Sequence, residues 1–240
     1  MLKVIINLKL LKGIFVKRYK RFFVEIISES GELLTLHCPN TGSLTNCLID
    51  SAPCWYSLSP KKTRKLPGTL ELITTKFNNI ANVHSASANK IVFLAIKKGV
   101  IAELTSYDIF DKEVRFGKEG SRLDFCLGHS ILNQPKCYVE VKSATYDLGG
   151  GLVSFPDAKT DRGAKHLREL ILAVEEGYRA VLFFCVQVSN AKRLKIADQI
   201  DPTYANLLIK AINLGVEVMV WNTRISSEGI QLGQEIDFEF

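Results

Sequence analysis

The pattern of hydrophobic and polar positions predicts β structure in the first part of the chain. Residues 14–28 combine β-branched and aromatic side chains in partial alternation, and a similar pattern begins at 32–37 after the turn signal at 29–31. Together these segments predict a β-hairpin. Prolines and glycines then separate further short strands around 54–56 and 70–77. Several short strands punctuated in this way predict a small barrel of the OB type.

A polar stretch, 78–89, follows and is the segment that we predict to be a linker. Beyond it the apolar spacing alternates between strand and helix, and the run at 179–188 is almost uncharged, as is typical of a strand buried on both faces. We therefore predict an α/β (α+β) protein with an OB-like domain over 1–83 and a mixed-sheet domain over 84–240. The predicted elements of the second domain are a helix at 90–98, strands at 112–116, 121–127 and 137–144, a helix at 161–176, a strand at 179–188, a helix at 202–213 and a strand at 216–221.

The composition fits a soluble globular protein. Of 240 residues, 47% are hydrophobic and 23% are charged, which excludes disordered and collagen-like classes. The sequence has no uncharged apolar run of about 18 residues, so we expect no membrane helix. Lysines interrupt the apolar N-terminus, which argues against a signal peptide. The six cysteines form no close CxxC pair, so we expect reduced thiols and a cytoplasmic location.

The positive charge is concentrated in the first third of the chain. Residues 1–85 contain 12 Lys and Arg against 5 Asp and Glu, whereas residues 86–240 contain 19 against 20. Such an asymmetry is typical of a nucleic-acid contact surface, and a solvated basic face is the alternative interpretation.

Two acids and a lysine carry the main chemical signal. Alternation places Leu123 and Phe125 on one face of their strand and Asp124 on the other, while Glu140 and Lys142 share one face of the next strand. The short connection between these strands predicts an antiparallel hairpin, on which the three polar side chains converge.

This convergence suggests a metal site. Two carboxylates with a main-chain carbonyl suit Mg²⁺ (or Mn²⁺), and a lysine beside the metal would orient or help deprotonate an attacking water. The alternative is an ordinary exposed Glu–Lys pair on a strand. The context resembles the PD-(D/E)xK nuclease superfamily, in which Asp, Glu and Lys occupy equivalent places. The resemblance implies a further acid from the preceding region, for which Glu103 is the best candidate and Glu113 a weaker one.

A closer resemblance extends from about residue 14 to 222. The chain is similar to the sugar fermentation stimulation protein family, and the stretches that carry the likeness are HCPNTGSLTNC (37–47), KKTRKLPGTLEL (61–72), IAELTSYD (101–108), EVRFGKEGSRLDF (113–125), YVEVKSAT (138–145), FPDAKTDRGAKHLREL (155–170) and DQIDP (198–202). The resemblance implies an N-terminal OB-like domain, a C-terminal restriction-endonuclease-like domain and non-specific DNA binding. It also implies a link to sugar (maltose) metabolism. Asp124, Glu140 and Lys142 match the family's acidic and lysine positions, whereas the three consecutive glycines within 146–155 depart from its pattern.

Three basic groups are candidate contacts to DNA phosphates, which set affinity without reading sequence. They lie in a loop between prolines, on a strand with interleaved aromatics, and at the start of a helix whose N-terminus could receive a phosphate. A solvated loop and core aromatics are the alternatives for the first two. The residues are Lys61, Lys62, Arg64 and Lys65, then Lys17 and Arg18, then Arg162, Lys165 and His166.

Our first hypothesis is a non-specific DNA-binding protein whose second domain is a Mg²⁺-dependent nuclease. The alternative is a non-catalytic DNA-binding regulatory protein. A metabolic transcription factor is a weaker interpretation, because the sequence lacks a clear helix-turn-helix with a basic recognition helix. A zinc site at 37–54 is disfavoured by the irregular spacing of its histidine and cysteines.

Overall fold

The computed structural model describes residues 5–7, 9–61, 63–131, 134–226 and 229–240. Lys62, one of the predicted DNA contacts, lies outside these ranges. None of the helices within them is long and apolar enough to cross a membrane.

The helices are α1 (Ala86–Lys97), α2 (Asp161–Glu175) and α3 (Pro202–Asn213), and a 3₁₀ turn covers Ala102–Leu104. The strands are β1 (Ile5–Asn7), β2 (Leu11–Tyr19), β3 (Phe23–Ser28), β4 (Leu33–His37), β5 (Pro53–Leu58), β6 (Gly68–Thr74), β7 (Ile80–Asn82), β8 (Ile109–Phe116), β9 (Ser121–Gly128), β10 (Cys137–Ala144), β11 (Tyr146–Gly149), β12 (Leu152–Phe155), β13 (Arg179–Val186), β14 (Arg193–Ile196), β15 (Glu217–Ser226), β16 (Gly229–Glu235) and β17 (Asp237–Glu239).

The first sheet closes into a five-stranded barrel. Its strand order is β4-β3-β2-β5-β6, and a parallel pairing of β4 with β6, at His37 and Thr69, closes the ring. Alternate residues such as Val24, Ile26 and Leu36 are fully buried inside it. The predicted OB-like barrel is therefore confirmed, and β7 continues the sheet beyond β6.

The predicted strand at 14–28 is two strands in the structure. Lys20 and Arg21 have φ of 48° and 60° and reverse the chain between β2 and β3. Tight hairpin turns of this hand favour glycine, asparagine and aspartate, so a Lys-Arg pair gives no turn signal in the sequence. The next predicted hairpin, which turns at 29–31, is present as β3 and β4.

The second part of the chain forms a seven-stranded mixed sheet, in the order β1-β16-β15-β13-β10-β9-β8. Its central strands β10, β13 and β15 are parallel, and the hydrophobic residues of β10 and β13 are buried on both faces. α2 and α3 pack with the core cluster on one face, and α1 packs with the cluster on the other. β1 belongs to this sheet, so residues 5–7 do not join the barrel as the predicted division at 83 implied. A smaller sheet has the order β11-β12-β14-β17.

The segment predicted as a linker is ordered and packed. Its strand β7 pairs with β6, Ala81 bridges to Val188, and Asn82 and Val83 are fully buried. Asn82 also donates to Gln187 Oε1 at 2.5 Å. The polar, small side chains of this segment are hydrogen-bonding partners at a junction, which a composition-based interpretation does not distinguish from a linker.

The barrel and the smaller sheet are joined through Asp147 of β11, a residue that is only 1% exposed. Its Oδ2 accepts hydrogen bonds from Thr75 Oγ1 at 2.6 Å and Asn79 Nδ2 at 2.9 Å, and its Oδ1 accepts from Gly149 N at 2.9 Å. Its main-chain oxygen accepts from Asn46 Nδ2 at 2.9 Å. One buried carboxylate therefore satisfies donors from both parts of the chain.

We expect Asp147→Ala to lower the free energy of unfolding by about 3–5 kcal/mol, because it leaves several buried donors without an acceptor. Chemical denaturation checks this prediction. Asp50→Ala, at an exposed aspartate, is the matched control and should change the value by less than about 0.5 kcal/mol. A loss below about 1 kcal/mol for Asp147→Ala would contradict the proposed role of this carboxylate.

Candidate active site

The pairing of β9 with β10 stops beside Asp124. The last paired residues are Val139 and Phe125, and beyond them Asp124 Oδ2 accepts the hydrogen bond of Val141 N at 2.7 Å. The other carboxylate oxygen accepts from Asn89 Nδ2 of α1 at 2.5 Å. A side-chain carboxylate thus binds a main-chain N–H at the point where the strand ladder ends.

The side-chain alternation of β9 breaks at this residue. Leu123 packs in the core cluster of α2 and α3, whereas Phe125 packs in the cluster of α1. The prediction that these two residues share a face is therefore wrong. The alternation of the neighbouring edge strand, β8, is interrupted at the same position. Glu113 lies there between the register pairs Lys112–Phe125 and Val114–Leu123 and has a φ of 52°.

Glu140 and Lys142 project on one face of β10, as the alternation predicted, and meet His166 of α2. Lys142 Nζ donates to Glu140 Oε1 at 2.8 Å, and the Nδ1 atom of His166 contacts the same oxygen. A carboxylate and an unprotonated imidazole nitrogen would repel each other at this contact, so Nδ1 carries a proton and donates it. Lys142 Nζ lies 3.2 Å from the same nitrogen. The side chains of Glu140 and His166 are only 3% and 5% exposed.

The two carboxyl groups experience opposite electrostatic environments. Burial raises the pKa of Glu140, but the charge of Lys142 and the hydrogen bond from His166 hold that pKa below its ordinary value. Burial and then the charge of Glu140 raise the pKa of Asp124 to about 7, against the hydrogen bond from Val141 N. Such divergent values for neighbouring carboxyl groups are typical of functional sites.

The donor set is compatible with a divalent cation that keeps most of its waters. Glu140 Oε2 is buried and accepts no hydrogen bond within the described residues. Each oxygen of Asp124 accepts one hydrogen bond and retains a lone pair. Mg²⁺ in catalytic sites is usually held by one or two carboxylates, with water and substrate completing the shell.

A third acidic ligand is not brought to these two. Across the described ranges, no three His, Cys, Asp or Glu side chains are grouped to hold a metal. Glu103 lies in the 3₁₀ turn, where its main-chain oxygen accepts from Arg179 Nη1 at 2.8 Å, and it lines a groove with Ile212 and Glu217. Its prediction as a metal ligand with Asp124 and Glu140 is therefore not supported by the geometry.

The start of α2 is fixed by side-chain caps. Thr160 accepts from Gly163 N at 2.9 Å, and Asp201, which caps α3, accepts from Thr160 N at 2.9 Å. His166 is buried against Glu140, so its predicted role as a phosphate contact is wrong and it belongs to the candidate active site. Lys165 Nζ donates to the main-chain oxygen of Glu119.

The predicted basic contacts differ in their availability. Arg18 donates to the main-chain oxygens of Gly42 at 2.8 Å and Asn40 at 2.5 Å, so its guanidinium holds a barrel loop and is not free for DNA. Lys17 Nζ lies 3.2 Å from Glu25 Oε2 and remains largely exposed. The four other predicted contacts that the structure describes and leaves exposed are Lys61, Arg64, Lys65 and Arg162.

The roles of two residues of the site were not predicted from the sequence. Asn89 binds Asp124 from α1, and His166 binds Glu140 from α2. His166 and Leu170 are four residues apart on the predicted helix and therefore share a face, so the position of His166 indicates that its side chain is buried. Asn89 was assigned to the predicted linker, in which the sequence shows no helical periodicity.

A closed OB-type barrel followed by a mixed sheet, with Asp, Glu and Lys on adjacent strands, defines a two-domain protein of the OB and restriction-endonuclease-like class. The family model for the SfsA N-terminal OB domain matches residues 16–83, and the model for the sugar fermentation stimulation protein RE domain matches residues 86–229. The chain therefore belongs to the sugar fermentation stimulation protein family.

Known relatives resemble the chain over nearly its whole length. It is 44% identical over 220 residues to the sugar fermentation stimulation protein homolog of Saccharophagus degradans, covering 92% of this chain and 93% of the relative. It is 47% identical over 222 residues to the homolog of Shewanella sp. strain MR-7, covering 92% and 94%. The structure of Pyrococcus furiosus SfsA in complex with Ca²⁺ matches with a TM-score of 0.87 and 27% identity, over 100% of both chains.

The raised pKa of Asp124 predicts a pH-dependent stability in chelator-treated protein. Because the folded carboxyl binds its proton more tightly than the unfolded one, the free energy of unfolding falls as pH rises from about 4 to about 7. Asp124→Asn removes the charge. We expect the wild type to lose roughly 2 kcal/mol more than this variant between pH 5 and pH 8, measured by urea denaturation.

Asp50→Asn is the control and should follow the wild type. Parallel pH curves for the wild type and Asp124→Asn would contradict the electrostatic interpretation of this carboxyl group.

Proposed function

We propose that this chain binds DNA non-specifically and hydrolyses phosphodiester bonds with Mg²⁺ (or Mn²⁺) held at Asp124 and Glu140. The observation that carries the proposal is the buried carboxylate of Glu140. One of its oxygens is bound by Lys142 and His166, while the other accepts no hydrogen bond from the described residues. A buried acceptor of this kind is costly unless it has a ligand.

Two further observations support a divalent cation at this position. Burial and then the negative charge of Glu140 raise the pKa of Asp124, and a bound cation would offset that charge. The related Pyrococcus furiosus protein was solved in complex with Ca²⁺, a hard cation that takes oxygen ligands as Mg²⁺ does. A divalent cation held by the two carboxylates would supply a polarised phosphoryl oxygen and a water of lowered pKa.

The other side chains of the site would position the two carboxylates and the reacting groups. His166 donates to Glu140 and fixes the direction of its carboxylate, and Asn89 does the same for Asp124. Among the described residues, Lys142 Nζ donates to Glu140 alone, so its ammonium group has donors left to position an attacking water or to bind a phosphate oxygen. The side chain of Lys142 is 12% exposed, which leaves it within reach of a substrate at the surface.

DNA binding is supported by the charge of the first third of the chain and by its exposed basic side chains. Lys61 and Lys65 lie in the loop between β5 and β6, and Arg162 lies in the first turn of α2. Contacts from such side chains to phosphates give binding that weakens with salt and depends little on sequence.

A cleavage assay tests the proposal. We expect the wild type to cut single- or double-stranded DNA with Mg²⁺ or Mn²⁺, and Lys142→Ala and Glu140→Gln each to lower the rate at least about 100-fold. Lys210→Ala, at an exposed lysine of α3, is the matched control and should cleave as the wild type does. Binding of DNA measured in chelator should not weaken in Glu140→Gln, because this carboxylate would act on DNA only through the cation.

Binding by the wild type without any cleavage, under both metals, would overturn the nuclease proposal. The non-catalytic DNA-binding regulatory protein would then be the better account of the chain.

A further inference from the structure

A second group of basic side chains surrounds a buried glutamate on the outside of the barrel. Glu71 of β6 accepts from Ser57 Oγ at 2.7 Å, and its other carboxylate oxygen lies 2.7 Å from His84 Nδ1. His37 is paired with Thr69, two residues before Glu71, so His37 and Glu71 lie on the same face of the barrel. We call His37, Arg64 and His84 the histidine patch.

The imidazole of His84 is held in one direction. Its Nδ1 atom is bound to Glu71, whose side chain is 7% exposed, while the His84 side chain is 32% exposed. Binding of one ring nitrogen to a buried carboxylate fixes the orientation of the ring, and in the doubly protonated form of the imidazole Nε2–H is a donor for a ligand. This is an arrangement that can receive an anion.

The other two members of the patch are His37, whose charged form is disfavoured, and Arg64, which supplies positive charge. Burial, then the charges of Arg64 and His84, lower the pKa of His37, although Glu71 opposes this shift. Arg64 is exposed, and its guanidinium makes no hydrogen bond or ion pair within the described parts of the chain. A bound anion would be attracted by Arg64 and would offset the neighbouring positive charges that help to lower the pKa of His37.

The histidine patch lies close to the candidate active site along the chain. α1 begins two residues after His84, and Asn89, which binds Asp124, is five residues from His84. Ala86 to Asn89 form the first turn of α1, in which each residue rises only about 1.5 Å. The barrel loop is tied to the same point, because Pro39 O accepts from Ser85 Oγ at 2.9 Å and Asn40 Nδ2 donates to Val83 O at 3.2 Å.

We propose that the histidine patch binds a backbone phosphate of the nucleic acid next to the phosphodiester held at Asp124 and Glu140. The inference rests on the proposed function and adds to it the part of the barrel that receives the nucleic-acid strand. It places the nucleic-acid strand across β4, β6 and the start of α1. The β2–β3 hairpin, where Lys17 is paired with Glu25, is not part of this path.

The first test measures binding by fluorescence anisotropy in chelator, with single-stranded and duplex oligonucleotides of about 12 nucleotides or base pairs. We expect Arg64→Gln and His84→Gln each to weaken binding about five- to tenfold, equally for unrelated sequences. Each should also reduce the slope of log K against log salt by about 1. Lys210→Gln is the control, with binding expected to match the wild type.

Arg64→Gln keeps the test decisive if His84→Gln is unstable. Arg64 is exposed in a loop, and its replacement leaves no buried charge unpaired, whereas the His84 variant removes a partner of Glu71. Thermal unfolding should therefore be unchanged in the arginine variant.

The second test observes the histidines directly in the unmodified protein. The chain has 4 histidines, and long-range ¹H–¹⁵N spectra resolve imidazole nitrogens. On addition of oligonucleotide without metal, we expect the His84 and His37 signals to move, while His129, which stacks on Tyr107 at 4.4 Å, stays in place.

The outcomes separate this inference from the proposed function. If the wild type binds DNA but the patch variants bind equally well and the His84 signal does not move, the histidine patch is not in the path, although DNA binding stands. If the wild type does not bind DNA at all, both fail.

Discussion

The structure depends on the burial of a carboxylate at the centre of a mixed sheet. An isolated charge there would cost several kcal/mol, and Glu140 is tolerated because Lys142 and His166 both bind its Oε1 atom. The same requirement fixes α2, since His166 reaches Glu140 only when that helix packs on β10. Asp147 repeats the principle at the junction, where a buried carboxylate accepts hydrogen bonds from the barrel and from the smaller sheet.

Much of the fold was predictable because it follows from local pattern. α2 and α3 have amphipathic spacing and side-chain caps, and β13 is an uninterrupted apolar run, so their bounds lie within two residues of the prediction. Elements without such a pattern escaped. β7 is three residues long, and its stability comes from β6 and Val188, which are distant in sequence. The turn at Lys20 and Arg21 is imposed by the barrel against residue preference.

The site was predictable as a set of residues and only partly as a geometry. Alternation correctly placed Glu140 and Lys142 on one face, because β10 is regular. It misplaced the neighbours of Asp124, because β8 and β9 both break their alternation there. The third acid was sought at Glu103, near in sequence, whereas Glu140 is bound by His166 and Asp124 by Asn89 through helix packing. Contacts made by tertiary packing leave no spacing signal in the sequence.

The central claim is that the carboxylates of Asp124 and Glu140 form one divalent-cation site, and isothermal titration calorimetry of Mn²⁺ into chelator-stripped protein tests it most directly. At pH 8 we expect one ion per chain, with heat largely abolished by Glu140→Gln and by Asp124→Asn but retained in Asp50→Asn. Binding should weaken at pH 6, because a proton then competes at Asp124. Undiminished binding in both site variants, or none in the wild type, would contradict the account.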